Sequence, residues 1–161
     1  MYPTPSFENK LCPAGELAAR VARLPHPLVF TNGCFDVLHR GHVTYLAQAR
    51  ALGAALIVGV NSDASVKRQG KGSDRPINSE QDRMMVLAAL ESVSLVVLFE
   101  EDTPLNLIVA CRPDILVKGG DWQPANIVGA REVQSWGGAV HSIPFLHERS
   151  TTSLLNKIRS L

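Results

Sequence analysis

Residues 28–42, LVFTNGCFDVLHRGH, decide the fold, because an apolar run ends there in a turn and a helix follows. Leu28–Thr31 is apolar and is stopped by Asn32-Gly33, which predicts a buried strand followed by a turn. His42–Leu52 combines helix formers with apolar residues at helical spacing, and Gly53 is expected to cap that helix. This stretch therefore predicts one strand–loop–helix unit whose loop is polar.

The same alternation continues to the end of the chain. Ala55–Val60 is a second continuous apolar run, as expected for a strand buried on both faces of a parallel sheet. Further strands are predicted over Leu95–Phe99, Ile115–Lys118 and Val140–Ile143, and helices over 79–91, 104–112, 125–136 and 150–160. Strands that alternate with helices predict right-handed βαβ units, with helices on both faces of the sheet.

Composition bounds the class of protein. The chain has 161 residues, 45% of them hydrophobic, and 16 Lys+Arg against 15 Asp+Glu. This balance predicts one globular domain that neither coats nucleic acid nor binds a membrane surface. The cysteines, Cys12, Cys34 and Cys111, form no zinc-site spacing and indicate reduced thiols. Without a signal peptide pattern or a long apolar run, we expect a cytoplasmic protein.

Two segments stand apart from this alternation. Residues 1–27 are expected to form a loose arm with a short helix over Ala14–Leu24, and residues 28–161 the main domain. Asn61–Asn78 is polar and too long for an ordinary connection, so it is expected to be a functional loop. Its basic residues are either a solvated face or part of a lid over a phosphorylated substrate. They are Lys67, Arg68, Lys71 and Arg75.

The loop after the first strand carries the strongest chemical signal. His39 and His42 flank Gly41 at the start of a helix. Amides at a helix N-terminus, a glycine that lets a phosphate come close and two imidazole donors together suit an anion. A metal site and a histidine that serves only the core are the alternatives, but a metal needs more ligands than this stretch provides.

The wider motif resembles the signature of the HxGH nucleotidyltransferase superfamily. It reads Gly33-x-Phe35-Asp36-x-x-His39-x-Gly41-His42 and directly follows a predicted strand. Later segments also resemble the adenylyltransferases of ADP-heptose synthesis, in order from residue 28 to residue 161. They are Val58–Asp63, Lys67-Arg68, Arg75–Ile77, Arg83 with Leu87–Leu90, Phe99–Pro104, Lys118–Asp121 and Ser150–Thr152.

This resemblance implies a Rossmann-like nucleotidyltransferase fold, with five parallel strands in the order 3-2-1-4-5. It also implies that a heptose 1-phosphate oxygen attacks the α-phosphorus of ATP and releases ADP-heptose and pyrophosphate for lipopolysaccharide core synthesis. Mg²⁺ is expected to accompany ATP, with few protein ligands. A separate sugar kinase is expected to supply the sugar 1-phosphate, and a homodimer is expected by analogy.

The resemblance also implies roles for individual residues. His39 and His42 would hold the triphosphate and stabilise charge on the α-phosphate. The ATP-binding residues would be Thr31, Asn32, Gly33, Cys34, Phe35, Gly41, Lys118, Gly119, Asp121, Ser150, Thr151 and Thr152. Asp36, Asn61, Lys67, Arg68 and Arg83 are the expected substrate contacts. Arg50 and Arg149 are further phosphate candidates, and Trp122 either stacks on a ring or simply packs.

Two other functions stay open at this point. The first is a cytidylyltransferase that acts on glycerol 3-phosphate or an amino-alcohol phosphate, since the same histidines would serve it. The second is a nucleotide-binding module without catalysis, although the intact His39/His42 pair and Ser150–Thr152 argue against decay. Cys34 is not expected to be a nucleophile, because no base partner is evident.

Overall fold

The protein is built around a five-stranded parallel sheet with the strand order β3-β2-β1-β4-β5. The computed structural model describes residues 2–70, 72, 74–147 and 150–161. The strands are β1 (Leu28–Gly33), β2 (Ala55–Asn61), β3 (Leu95–Phe99), β4 (Ile115–Gly119) and β5 (Ala139–Ile143). The predicted Rossmann-like sheet, including its strand order, is confirmed.

The described helices follow the strands as the alternation predicts. They are α1 (Leu17–Val21), α2 (Arg40–Arg50), α3 (Asp63–Arg68), α4 (Glu80–Ala88), α5 (Leu105–Cys111), α6 (Ala130–Ser135) and α7 (Thr151–Arg159). Short 3₁₀ turns cover Ser6–Lys10 and Pro124–Asn126. Within the described part of the chain, none of these helices has the length and apolar character needed to cross a bilayer.

The core has two halves, one on each face of the sheet. Neighbouring residues of β1 point in opposite directions, so Phe30 packs on one face and Val29 on the other, and both are fully buried. Side chains of α5 and α6 cover the Phe30 face, and side chains of α2 and α4 cover the Val29 face. Strands β1, β2 and β3 are mostly apolar because both of their faces are covered, whereas Ala139 and His141 of the edge strand β5 are exposed.

The polar stretch 61–78 differs from the prediction, because its first part is a helix. Helix α3 begins after Ser62, whose side chain accepts a hydrogen bond from the Ser65 amide at 3.1 Å. Ser65 and Val66 are its buried residues, too few to leave an apolar pattern. The long loop is therefore limited to the residues between α3 and α4.

Two glycines are involved in further differences between the predicted and the observed helices. The helix predicted over 125–136 is split into the turn Pro124–Asn126 and α6, and Gly129 joins them with φ +86°, where other residues are strained. Helix α2 ends at Arg50, so Gly53 is not its cap. A Cβ at Gly53 would lie 2.4 Å from the Pro27 carbonyl oxygen, so glycine is required there by close packing.

The N-terminal arm is attached to the sheet, so the expectation of a loose arm is wrong. Leu11 forms a parallel bridge with Val96 of β3, and the Cys12 amide donates to the Val96 carbonyl oxygen at 2.9 Å. The Lys10 ammonium donates to the Leu90 carbonyl oxygen at 2.8 Å. The arm thus covers part of the β3 edge, which would otherwise present unpaired backbone groups.

The attached arm makes a testable prediction. Leu11 is partly buried against the core, whereas Tyr2 is 98% exposed. We expect Leu11→Ala to lower the free energy of unfolding by about 1–3 kcal/mol, because apolar contacts with the core are lost. Tyr2→Ala is the control and should leave it unchanged. Urea denaturation measures both, and identical curves for the two variants would show that the arm does not pack.

Candidate active site

The candidate site lies where the carboxyl ends of β1 and β4 meet, at the point where the strand order reverses direction. A cavity of about 180 Å³ opens there, and we refer to it as the first cavity. Its lining residues are Asn32, Gly33, Cys34, Phe35, Asp36, His42, Tyr45, Arg75, Lys118, Gly119, Phe145 and Thr151. Seven of them are predicted ATP-binding residues, and two others are His42 and Asp36.

His39 forms the N-cap of α2. Its Nδ1 accepts a hydrogen bond from the Gly41 amide at 3.1 Å, so the proton of the neutral ring lies on Nε2. A Cβ at Gly41 would lie 3.0 Å from the His39 ring, which explains the glycine between the two histidines. The motif thus fixes both the orientation and the tautomer of His39.

His42 lies one turn into α2 and stacks on His39, with ring centroids 3.9 Å apart. Phe35 packs edge-on against it at 5.4 Å. Burial and, to a smaller extent, the neighbouring His39 together lower the pKa of His42 to about 4. The buried Nδ1 atom of His42 has no hydrogen-bond partner in the described structure. Buried polar atoms are normally paired, so this nitrogen points to a ligand.

A second helix N-terminus reaches the same cavity. Ser150 caps α7 through a capping box with Ser153, and the Thr151 hydroxyl donates to the Val37 carbonyl oxygen at 3.4 Å. This contact holds the start of α7 beside the loop that follows β1. Lys118 adds a positive charge to the lining. Two helix N-termini and a lysine around one cavity favour an anionic ligand.

Asp36 is occupied by the protein itself. Its carboxylate accepts from Arg75 Nε at 2.5 Å and from the backbone amides of Ile77 and Asn78 at 2.9 Å. Burial raises the pKa of Asp36, but the two amides and the Arg75 guanidinium outweigh burial and hold the pKa below its usual value. Asp36 therefore anchors residues 75–78 as a carboxylate, and its expected contact with the substrate stays a prediction.

Arg83 is also a positioning residue, in contrast to the expected substrate contact. Its side chain is fully buried. The guanidinium donates to the carbonyl oxygens of Cys34 at 2.6 Å, Asn61 at 2.8 Å and Asn78 at 3.1 Å, and to Asp63 Oδ1 at 2.8 Å. Arg83 thus joins the loop after β1, the end of β2 and the start of α3.

Two other predicted contacts, Thr31 and Asn61, do not line the first cavity. Thr31 is fully buried, and its hydroxyl is 2.5 Å from the Tyr45 hydroxyl, so its side chain does not reach the first cavity. Burial raises the pKa of Tyr45 to about 12, so the hydroxyl stays protonated. Asn61 is buried and donates from Nδ2 to the Ser65 hydroxyl at 3.0 Å.

The basic side chains of the polar stretch separate in space. Arg75 lines the first cavity, whereas Arg68 pairs with Asp102 at 2.6 Å on the surface and Lys67 is exposed on α3. Arg50 donates to the Gly53 carbonyl oxygen, at the far end of α2 from the cavity, so it does not reach the phosphate site. Lys71 and Arg149 lie outside the described residues.

The remaining predicted residues are placed as follows. Ser150, Thr152 and Asp121 are exposed and do not line the first cavity. The Cys34 thiol donates to Gln69 Oε1 at 3.4 Å, an arrangement that offers no base for a nucleophile. Trp122 lies beside a different cavity, described next.

A second cavity, of about 200 Å³, lies beside the first. Its lining residues are Asn32, Asn61, Gln69, Asp102, Thr103, Pro104, Lys118, Trp122, Asn126, Ile127 and Val128. Asn32 and Lys118 line both cavities. Sequence analysis missed Gln69 and Asn126, because they come from separate connections and share no motif, whereas Thr103 belongs to the resembling segment Phe99–Pro104.

The residues present do not form a protein cage for Mg²⁺. No group of three His, Cys, Asp or Glu side chains is gathered within residues 2–70, 72, 74–147 and 150–161. Asp36 is the one carboxylate among the described lining residues of the first cavity, and its oxygens are already occupied. This donor set fits Mg²⁺ bound by nucleotide phosphates and water, with few protein ligands.

The lowered pKa of His42 predicts how stability depends on pH. Between about pH 6.5 and pH 4 the unfolded chain binds a proton at this residue and the folded chain does not. The free energy of unfolding should therefore fall as pH falls through that range. His42→Asn should weaken this dependence, and the control His141→Asn, at an exposed position, should retain it. Urea denaturation at several pH values tests this; equal slopes for His42→Asn and the unsubstituted protein would contradict it.

Comparisons with known proteins identify the family to which the chain belongs. A cytidylyltransferase-like family model matches residues 30–157. D-beta-D-heptose 1-phosphate adenylyltransferase of Bordetella bronchiseptica is 59% identical over 155 residues, which cover 95% of this chain and 96% of that protein. The bifunctional protein HldE of Methylobacillus flagellatus is 51% identical over 155 residues, but this chain spans 32% of its length.

Solved structures share the fold. The lipopolysaccharide core biosynthesis protein of Thermoplasma volcanium has a TM-score of 0.60 and 27% identity, covering 76% of this chain and 98% of that one. Pantoate-beta-alanine ligase of Francisella tularensis has a TM-score of 0.62 at 14% identity, covering 94% of this chain and 78% of that one, so it shows the fold alone.

The family model spans most of the chain, and the Bordetella relative matches it over nearly full length. The resemblance to the HxGH nucleotidyltransferases is therefore confirmed, and the module without catalysis is not favoured. The chain belongs to the cytidylyltransferase-like family and, within it, to the D-beta-D-heptose 1-phosphate adenylyltransferases.

Proposed function

We propose that the protein transfers AMP from ATP to D-glycero-β-D-manno-heptose 1-phosphate, giving ADP-heptose and pyrophosphate for lipopolysaccharide core synthesis. The observation that carries this proposal is the buried, unpaired Nδ1 of His42, in a cavity that two helix N-termini border. The 59% identity to a heptose 1-phosphate adenylyltransferase supports the choice of base and acceptor.

The chemistry is a direct displacement at the α-phosphorus. An oxygen of the sugar 1-phosphate forms a bond to the α-phosphorus, the bond to the bridging oxygen breaks, and pyrophosphate leaves with that electron pair. No covalent enzyme intermediate or proton transfer is needed, because the attacking phosphate is already ionised. Catalysis of such transfers comes mainly from positioning and electrostatic stabilisation.

The two histidines supply donors to the α-phosphate. The His39 tautomer leaves an N–H on Nε2, and His42, neutral at pH 7, carries one ring N–H that it can donate. Negative charge that develops on the phosphate oxygens strengthens both hydrogen bonds, so the transition state gains more than bound ATP. Stacking of the rings keeps both donors in one place.

The remaining phosphates would lie between the helix N-termini and the basic side chains. The amides that open α2 and α7 accommodate negative charge, and Lys118 and Arg75 add formal positive charge. The Asp36 carboxylate fixes Arg75 through Nε, which leaves the terminal nitrogens of the guanidinium for a phosphate. Mg²⁺ would enter with ATP and neutralise part of the phosphate charge.

The place of the enzyme in the cell follows from its substrates. The acceptor is a phosphorylated sugar, so a sugar kinase must act before this enzyme. ATP is supplied in the cytoplasm, where we place the reaction. A homodimer remains part of the proposal by analogy with the superfamily.

A pyrophosphate-release assay tests the proposed reaction. With Mg²⁺ and heptose 1-phosphate, the unsubstituted protein should release pyrophosphate from ATP and not from CTP. His39→Ala and His42→Ala should each lower kcat by about 10²–10³, because one donor to the α-phosphate is lost. His141→Ala, at an exposed position, is the control and should keep the original kcat.

Each outcome has a separate meaning. Release from CTP alone would replace the proposed reaction with a cytidylyltransferase. Binding of ATP with no release on any sugar phosphate would indicate a module without catalysis. A folded His42→Ala variant with unchanged kcat would remove His42 from the mechanism.

A further inference from the structure

We propose that Tyr45 is a positioning residue that sets the distance between the two walls of the first cavity. His42 belongs to one wall, on α2, and Lys118 belongs to the other, near the end of β4. The Tyr45 hydroxyl is bonded to both β1 and β4, so it fixes α2 relative to Lys118. This inference rests on the proposed function, since it takes Lys118 as a ligand of the triphosphate.

The strands β1 and β4 separate just before they reach the cavity. Their pairing ends at Phe30 and Leu116, although β1 continues to Gly33 and β4 to Gly119. Beyond the last pair, the backbone groups that face the neighbouring strand need other partners, because a buried polar group is costly when it is unpaired. The opening between these two strands is therefore where the cavity begins, and side chains must fill its base.

The Tyr45 hydroxyl fills this opening. It donates to the Val117 carbonyl oxygen of β4 at 3.4 Å and lies 2.5 Å from the Thr31 hydroxyl of β1. A hydroxyl carries one proton, so Thr31 donates to Tyr45 when Tyr45 donates to Val117. Tyr45 is 3% exposed and Thr31 is fully buried. Two buried hydroxyl groups thus bridge strands that no longer pair with each other.

The Tyr45 ring also fixes the wall that carries Lys118. It packs edge-on against Phe145, with ring centroids 5.6 Å apart. A Cβ at Gly119 would lie 2.7 Å from the Phe145 ring and 3.3 Å from the Tyr45 ring, so both rings lie against the Gly119 backbone. The residue after Lys118 is therefore held by the Tyr45 ring, and the carbonyl group before Lys118 is held by the Tyr45 hydroxyl.

The position of Tyr45 on α2 connects these contacts to the histidines. His42 and Tyr45 are three residues apart, so one face of the helix carries both. The hydroxyl contacts resist sliding of α2 along β4, which would carry His42 away from Lys118. A phenylalanine would fill nearly the same volume without the cost of burying a hydroxyl, so core packing alone does not require tyrosine at this position.

Removal of single hydroxyl groups tests the proposal. Tyr45→Phe and Thr31→Val keep the side-chain shape, and each should lower kcat/KM for ATP by about tenfold, as expected when one or two hydrogen bonds are lost. The double variant should be no worse than either single variant, because both remove the same bridge. Thr31→Ser retains the hydroxyl and should keep more activity than Thr31→Val. Tyr2→Phe, at a position that is 98% exposed, is the matched control and should keep the original kcat/KM.

A cycle with Lys118 separates positioning from stability. Lys118→Met removes the charge that Tyr45 is proposed to place, so the addition of Tyr45→Phe should lower kcat/KM by less than about twofold more. Val133→Ala, buried on the opposite face of the sheet, is the stability control. It should lower the free energy of unfolding and keep kcat/KM at temperatures where the protein is folded. Losses that multiply in the double variant, or an equal loss of kcat/KM in Val133→Ala, would overturn the inference.

Inorganic triphosphate gives a readout that does not depend on turnover. In calorimetric titrations it should bind about tenfold more weakly to Tyr45→Phe than to the unsubstituted protein, and equally to Lys118→Met with and without Tyr45→Phe. Equal binding to Tyr45→Phe and the unsubstituted protein, or no binding to the unsubstituted protein, would overturn the inference. Failure of the unsubstituted protein to release pyrophosphate with heptose 1-phosphate would instead overturn the proposed reaction, and the titration would still test the role of Tyr45.

Discussion

The buried guanidinium of Arg83 is the interaction on which the site depends. It holds together three carbonyl oxygens and one carboxylate, from the loop after β1, the end of β2, the start of α3 and the segment before α4. A buried charge is tolerated only when its hydrogen bonds are satisfied, and here each bond also fixes a piece of backbone. The motif loop with His39 and His42 is therefore clamped from beneath by a residue that meets no ligand.

A second buried pair completes this support. Asp36 and Arg75 form a close ion pair, and the amides of Ile77 and Asn78 complete the carboxylate shell. The pair ties the segment before α4 to the motif loop, while Arg75 still lines the first cavity. Charged groups in this region thus have two tasks, since some fix the backbone and others remain available for phosphate.

Sequence reasoning worked best where the side-chain pattern has a direct physical reading. The strand over Leu95–Phe99 was predicted to the residue, because a strand covered on both faces must be apolar throughout. Gly41 and the two histidines were correctly placed at a helix N-terminus. Sequence reasoning failed for α3, which has only two buried residues and therefore no apolar pattern. It also failed for Gly53, where close packing rather than helix capping requires glycine.

The sequence by itself determined the sheet, its strand order through family resemblance, and the loop that carries the histidines, because apolar continuity and helix-start signals are local. Only the tertiary structure decided which polar side chains remain available to a ligand. Asp36, Arg83 and Thr31 are residues that the sequence predicted as ligand contacts. In the structure, their side chains form hydrogen bonds with backbone and side-chain groups that are distant in sequence. Trp122 and Gln69 reach one cavity from separate connections. Sequence spacing does not encode such contacts, since they arise only when the sheet brings remote segments to one edge.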